Sequence, residues 1–167
     1  MSLSMYQASA PVFTRVLGNL SRILDKGAAF AESRKIEPSV LINSRLAPDM
    51  LPLSKQVQIA SDMVIRGSAR LAGVGIPSSP DTETTFPELQ ARIAKARDFV
   101  KTLSAAQIDG SETKKLTIPV GGKEFVFTGQ DYLFDFVLPN LFFHATATYL
   151  ILRHNGVELG KMDFLGA

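Results

Sequence analysis

Residues 85–103 read TFPELQARIAKARDFVKTL, and this stretch decides the fold. Thr85 and Glu88 stand at the spacing of a capping box, in which each side chain accepts a hydrogen bond from an orphan backbone N–H. Pro87 falls at an early helical position, where its missing N–H has no partner to lose. Behind the cap, Phe86, Leu89, Ile93, Ala96, Val100 and Leu103 recur every three or four residues and make one apolar stripe. A seam of that regularity needs partner helices, so the stretch predicts one member of a helix bundle.

Upstream, the same spacing appears twice more. Leu53, Val57, Ala60, Val64 and Leu71 mark a helix over 53–71, closed by Gly73 and Gly75, with a polar Pro/Ser loop over 76–84. Phe13, Val16, Leu17, Leu20, Ile23 and Leu24 mark another, starting at Ser4 or Ser9 and running to Lys26. Gly27 ends or breaks it, with 28–34 continuing as a short helix. Pro38, Pro48 and Pro52 punctuate the link that follows, leaving room for a turn or two over 39–45. That link is long for an up-and-down neighbour and allows a crossover.

Downstream, Gly121-Gly122 is a two-residue hairpin turn that pairs Val120 with Lys123, Ile118 with Phe125, and Leu116 with Phe127. The register puts these apolar residues on one face, expected to lie on the bundle, and sets Pro119 where its missing N–H is not needed. A last helix starts at the cap Thr128, ends near Arg153 before Gly156, and is apolar almost all round. It is therefore expected in the middle of the structure. Val157, Leu159, Met162, Phe164 and Leu165 give an apolar tail that should dock on the bundle.

Composition closes off several functional classes. The 167 residues include no Cys, which removes disulfides, thiolate metal sites and cysteine nucleophiles. With 18 Lys and Arg against 16 Asp and Glu, the net charge of +2 is too small to advertise a nucleic-acid surface. The stretch 132–152 has the length of a membrane span, but it holds Asp135, Asn140 and His144, and an Asp in a spanning helix costs about 2.5–3.5 kcal/mol. The chain is read as one domain over 1–167, cytoplasmic, with neither membrane nor nucleic-acid partners. Gly73-Val-Gly75 follows a helix and lacks the rest of a dinucleotide fingerprint, and no P-loop, nucleophile elbow or His-Glu-x-x-His is present.

One polar constellation stands out. Asn140, His144 and Thr148 are spaced by four and form a polar stripe on the apolar last helix, beside Pro139, which frees the Asp135 carbonyl and is expected to kink the helix. Gln58, Asp62 and Arg66 share that spacing on the second helix, and Gln58 and Asp62 either face the stripe or lie on a solvated side. Polar side chains facing one another inside a bundle are how ligand and metal sites are built, and also how satisfied core networks look.

The segments 46–58 (LAPDMLPLSKQVQ), 142–156 (FFHATATYLILRHNG) and 160–166 (GKMDFLG) resemble an uncharacterised bacterial family. That family belongs with the DinB-like, or YfiT-like, metalloenzyme superfamily of four-helix bundles. The resemblance implies non-sequential helix order, a homodimer joined through helix faces, and thiol-transferase or hydrolase chemistry at a divalent metal. Its metal-binding members carry His-x-x-x-His on the last helix and a third His on the second. Matching Leu152, Arg153 and Gly156 to the family's ending puts His144 on the second His of the pair and Asn140 on the first. The second helix offers Gln56, Gln58 or Asp62 in place of its His, and amides are poor ligands for zinc or nickel.

The expectation is an all-α four-helix bundle with a small β-hairpin between helices three and four. Its ligand is expected to be a small molecule, held near His144, Asn140, Thr148, Gln58 and Asp62. No cofactor is expected, and His144 alone would hold a divalent ion only weakly. A metal-dependent enzyme and a purely structural or interaction protein are the competing readings.

Overall fold

A computed structural model describes residues 3–166. Helix α1 spans Met5–Arg34, capped by Ser4 with a reciprocal bond from Gln7. It runs through Gly27, where a break was expected. A Cβ there would stand 3.1 Å from the Leu152 side chain, so this close packing on the last helix outweighs the roughly 1 kcal/mol propensity cost of glycine. The short helix α2, Pro38–Ile42, buries Leu41 and Ile42 within the link. Helix α3 spans Leu53–Ala72 and stops at Gly73, whose φ of 71° is the left-handed conformation of a helix end.

Helix α4 spans Phe86–Lys101 with both capping-box bonds formed between Thr85 and Glu88. Phe86, Leu89, Ile93, Ala96 and Val100 are all buried, as the stripe predicts. A one-turn helix α5, Ala105–Ile108, follows and buries Ile108. Strands β1 (Lys115–Val120) and β2 (Lys123–Thr128) pair in the expected register, Ile118 opposite Phe125 and Leu116 opposite Phe127. That face is covered only at its base: Leu116 and Ile118 are buried and Phe127 is half-buried against the core, whereas Val120 and Phe125 stand exposed toward the turn.

The last helical rod has three parts: α6 (Gly129–Asp131), a π-helical segment (Tyr132–Val137) and α7 (Leu138–His154). Thr128 caps α6 through Asp131 N–H. Where a kink was expected before Pro139, the backbone widens instead, and Leu138 N–H donates to Leu133 O five residues back. Proline's missing N–H leaves this turn free to repartner. Gly67 of α3 accommodates the wide turn, since a Cβ there would collide with Val137.

Around the bundle, α1 packs on α4 and α7, and α3 packs on α4 and α7. The first two long helices are thus diagonal, which is the crossover that the long link allows. In such a ring no helix is central, and this corrects the expectation for α7: Phe142, Phe143 and Leu150 face outward. The tail docks through Val157, Leu159 and helix α8 (Lys161–Leu165), which lies on α1, while Met162 and Leu165 remain exposed. Among the described residues no helix is long and apolar enough to cross a membrane.

Candidate functional site

Facing positions on α3 and α7 bring Gln56 and His144 together. Gln56 Nε2 donates to Leu51 O at 3.0 Å, which turns Oε1 toward the imidazole. His144 Nδ1 stands 2.7 Å from that oxygen and so carries the proton that it donates. Burial pushes the His144 pKa below the usual histidine value, so the ring is neutral with its lone pair on Nε2. Phe143 and the imidazole meet edge to face, centroids 5.2 Å apart.

The rest of the stripe turns away from any shared site. Asn140 Nδ2 donates to Phe136 O at 2.7 Å and Thr148 Oγ1 to His144 O at 2.9 Å, both back to their own helix. Side chains of this kind commonly satisfy carbonyls one turn upstream. Asn140 serves a carbonyl at the end of the π-helical segment, where the ladder is disturbed.

Gln58 and Asp62 belong to a different cluster, on the side of α3 that faces α4. Its centre is Arg92, 3% exposed. Arg92 Nη1 donates to both Glu83 oxygens at 3.0 and 3.1 Å, and Nη2 to Asp62 at 2.7 Å with Asp81 at 2.9 Å. Gln58 Nε2 adds a bond to Glu83 at 2.9 Å. Burial opposes the charge on Arg92, but its bonds to Glu83 and Asp62 outweigh that and raise its pKa. Lys55 on Asp81 and the largely solvated Arg66 on Asp62 bring the cluster to three cations and three carboxylates. Its effect is to clamp the loop 76–84 onto the bundle.

The five site residues read from the sequence therefore do not share one site: Asn140, His144 and Thr148 lie along α7, whereas Gln58 and Asp62 of α3 are held in the cluster around Arg92. Arg92, Asp81 and Glu83 were not singled out at all. The available signal was an arginine next to the seam residue Ile93, with two acids in the polar loop just upstream. Gln56 was named only as a stand-in ligand. Among the described residues, no three His, Asp or Glu side chains gather where an ion could sit.

An apolar cavity of about 170 Å³ opens beside the last helix, between α1, α7 and α8. Leu20, Ile23, Phe142, Ala145 and Phe164 line it, with Arg15 and Asn19 as its polar members. His144 is not among its walls, although Ala145 is.

No curated protein matches the chain. A crystal structure of a DinB family member protein from Shewanella denitrificans has a TM-score of 0.88 and 42% sequence identity to it, covering 97% of this chain and 92% of that one. Residues 5–165 match the model of a family described as a domain of unknown function, DUF1993. The chain belongs to that family, a DinB-like one, over nearly its whole length.

Proposed function

We propose that this DinB-like protein binds a small molecule in the cavity beside α7, and that the metal site implied by the superfamily is degraded. The cavity carries the first half of this reading. It is apolar, partly enclosed and edged by few polar groups, which is the general form of a small-molecule site. Replacing Ala145 with Leu fills it from the α7 wall. That variant should lose binding of phenyl-sized probes while still melting cooperatively, and unchanged binding would defeat the assignment.

The second half rests on where the donors point. Asn140 spends its amide N–H on its own helix, His144 holds Gln56, and Gln58 and Asp62 are held around Arg92. Among the described residues, one free imidazole nitrogen with no carboxylate acting on it does not fit a tightly held transition metal. Protein purified without added metal should contain no stoichiometric zinc, nickel or iron, and chelator should leave its melting temperature unchanged. An ion at 100 times its dissociation constant would add about 2.7 kcal/mol, so its loss would be visible. Close to one transition metal per chain would overturn this half.

We also propose a homodimer, supported by the outward apolar side chains Phe142, Phe143 and Leu150 of α7. Sedimentation should give twice the chain mass, and Phe143→Glu should halve it.

A further inference from the structure

We propose that the groove between α1 and α4 is an anion subsite, and that the ligand of the adjoining cavity is a small organic carboxylate with a phenyl-sized apolar body. This deepens the small-molecule reading above and rests on it. The charge requirement is the new element.

The groove has a volume of about 430 Å³ and is lined by Arg15, Arg22, Arg97 and Lys101, with no Asp or Glu among its walls. Lys101 has Asp98 as a partner at 2.8 Å. Arg15, Arg22 and Arg97 make no direct ion pair with any described residue; Asp98 near Arg97 is paired to Lys101, and Asp163 near Arg22 is paired to Lys26. Arg97 lies over Gly18, its Cζ 3.8 Å from where a Cβ would stand, and its Nε is buried without a partner. An orphaned buried donor in a ring of like charges is what an anion would satisfy. Guanidinium groups suit this task because their planar forks match a carboxylate.

Groove and cavity adjoin. Arg15 and Asn19 line both, so a ligand can place an apolar body on one side of them and a charge on the other. Asn19 is itself held in place, accepting from Arg22 Nη2 at 2.6 Å and donating to Phe164 O at 2.8 Å. Gly166, with φ of 79°, lies so close to Asn19 that any Cβ there would collide with it. These contacts fasten the tail as a wall shared by the two spaces. The size of the apolar part follows from the cavity, since a dry cavity of about 150 Å³ holds benzene.

Three probes on the full chain, followed by calorimetry, test this. They are 3-phenylpropionate, 3-phenylpropan-1-ol with the same body and no charge, and inorganic phosphate with charge and no body. The acid should bind about tenfold more tightly than the alcohol, the scale of a hydrogen bond to a charged group, and salt should weaken it. Arg97→Gln should remove that advantage and leave the alcohol's affinity unchanged. Arg22→Gln, at an exposed position, should act in the same direction and stands in if Arg97→Gln does not fold. Equal binding of acid and alcohol, insensitive to both variants, would overturn the charge requirement and leave the cavity reading standing. Phosphate binding as tightly as the acid would overturn the link between groove and cavity. If neither acid nor alcohol binds, the cavity reading itself falls and takes this inference with it.

Discussion

Arg92 and Arg97 stand on one helix, and each buries an Nε that finds no partner, yet their surroundings are opposite. Arg92 faces inward between α3 and the loop 76–84 and gathers Asp62, Asp81 and Glu83. Arg97 faces the groove over α1, whose charged walls are Arg15, Arg22 and Lys101, with Asp98 nearby but paired to Lys101. A buried guanidinium whose charge is matched by carboxylates of its own chain acts as a structural clamp. One left among cations is open to an external anion. Residue type and helix are shared, so the difference lies in which elements the fold brings alongside.

The sharpest way to break this comparison is Arg92→Ala. It strands Asp62 and Glu83 without their main partner, and removing one side of a buried ion pair costs about 3–5 kcal/mol. Urea denaturation should show that loss, and a change below 1 kcal/mol would mean that the cluster is no clamp. Gln56→Ala comes next, as the uncharged counterpart on the other side of α3. It leaves the His144 Nδ1–H without its acceptor, at a cost of about 1–3 kcal/mol.

Acid separates the two buried polar sites further. The folded pKa of His144 lies below its ordinary 6.5 because of burial, so the unfolded chain takes up its proton first. The stabilisation is full above pH 6.5 and declines as pH falls toward the folded value. A urea midpoint followed across that window should slope in the natural protein and flatten in His144→Gln. Burial would raise the Asp81 pKa, but Lys55 and Arg92 outweigh it and hold the carboxyl below 3.8. Its stabilisation is present above that value and is lost as pH falls through the folded pKa. Because Asp81 is 43% exposed, Asp81→Asn should cost less than about 1 kcal/mol at neutral pH.

The smallest effect is expected at the groove. Arg97→Gln should leave stability within about 0.5 kcal/mol, since it takes away no ion pair and relieves crowding among cations. A loss as large as that from Arg92→Ala would make Arg97 a structural residue and erase the contrast.

Much of the fold was legible because it is written in short-range patterns. The Thr85–Glu88 capping box, the Leu89–Ile93–Ala96–Val100 stripe and the Gly121-Gly122 register each need only a few neighbouring residues to be read. The misreadings came where a distant contact overrides local preference. Gly27 looks like a helix end until Leu152 packs against it, and Pro139 looks like a kink until the preceding turn widens. The apolar rod of α7 looked central because composition does not reveal that its partners surround a shared axis.

The site was harder to read for the same reason. Spacing by four placed Asn140, His144 and Thr148 on one stripe, and Gln58 and Asp62 on another. It gave no means of telling which way each would bond. By itself the sequence determined the long helices, the hairpin register, the absence of thiol chemistry and the scarcity of histidine donors. Only the tertiary structure decided that His144 meets Gln56, that Gln58 and Asp62 close around Arg92, and that Arg97 is left among cations. Helix and turn formation are set by interactions within a turn or two of chain. Charge partners are set by packing between segments dozens of residues apart, and no local pattern encodes that.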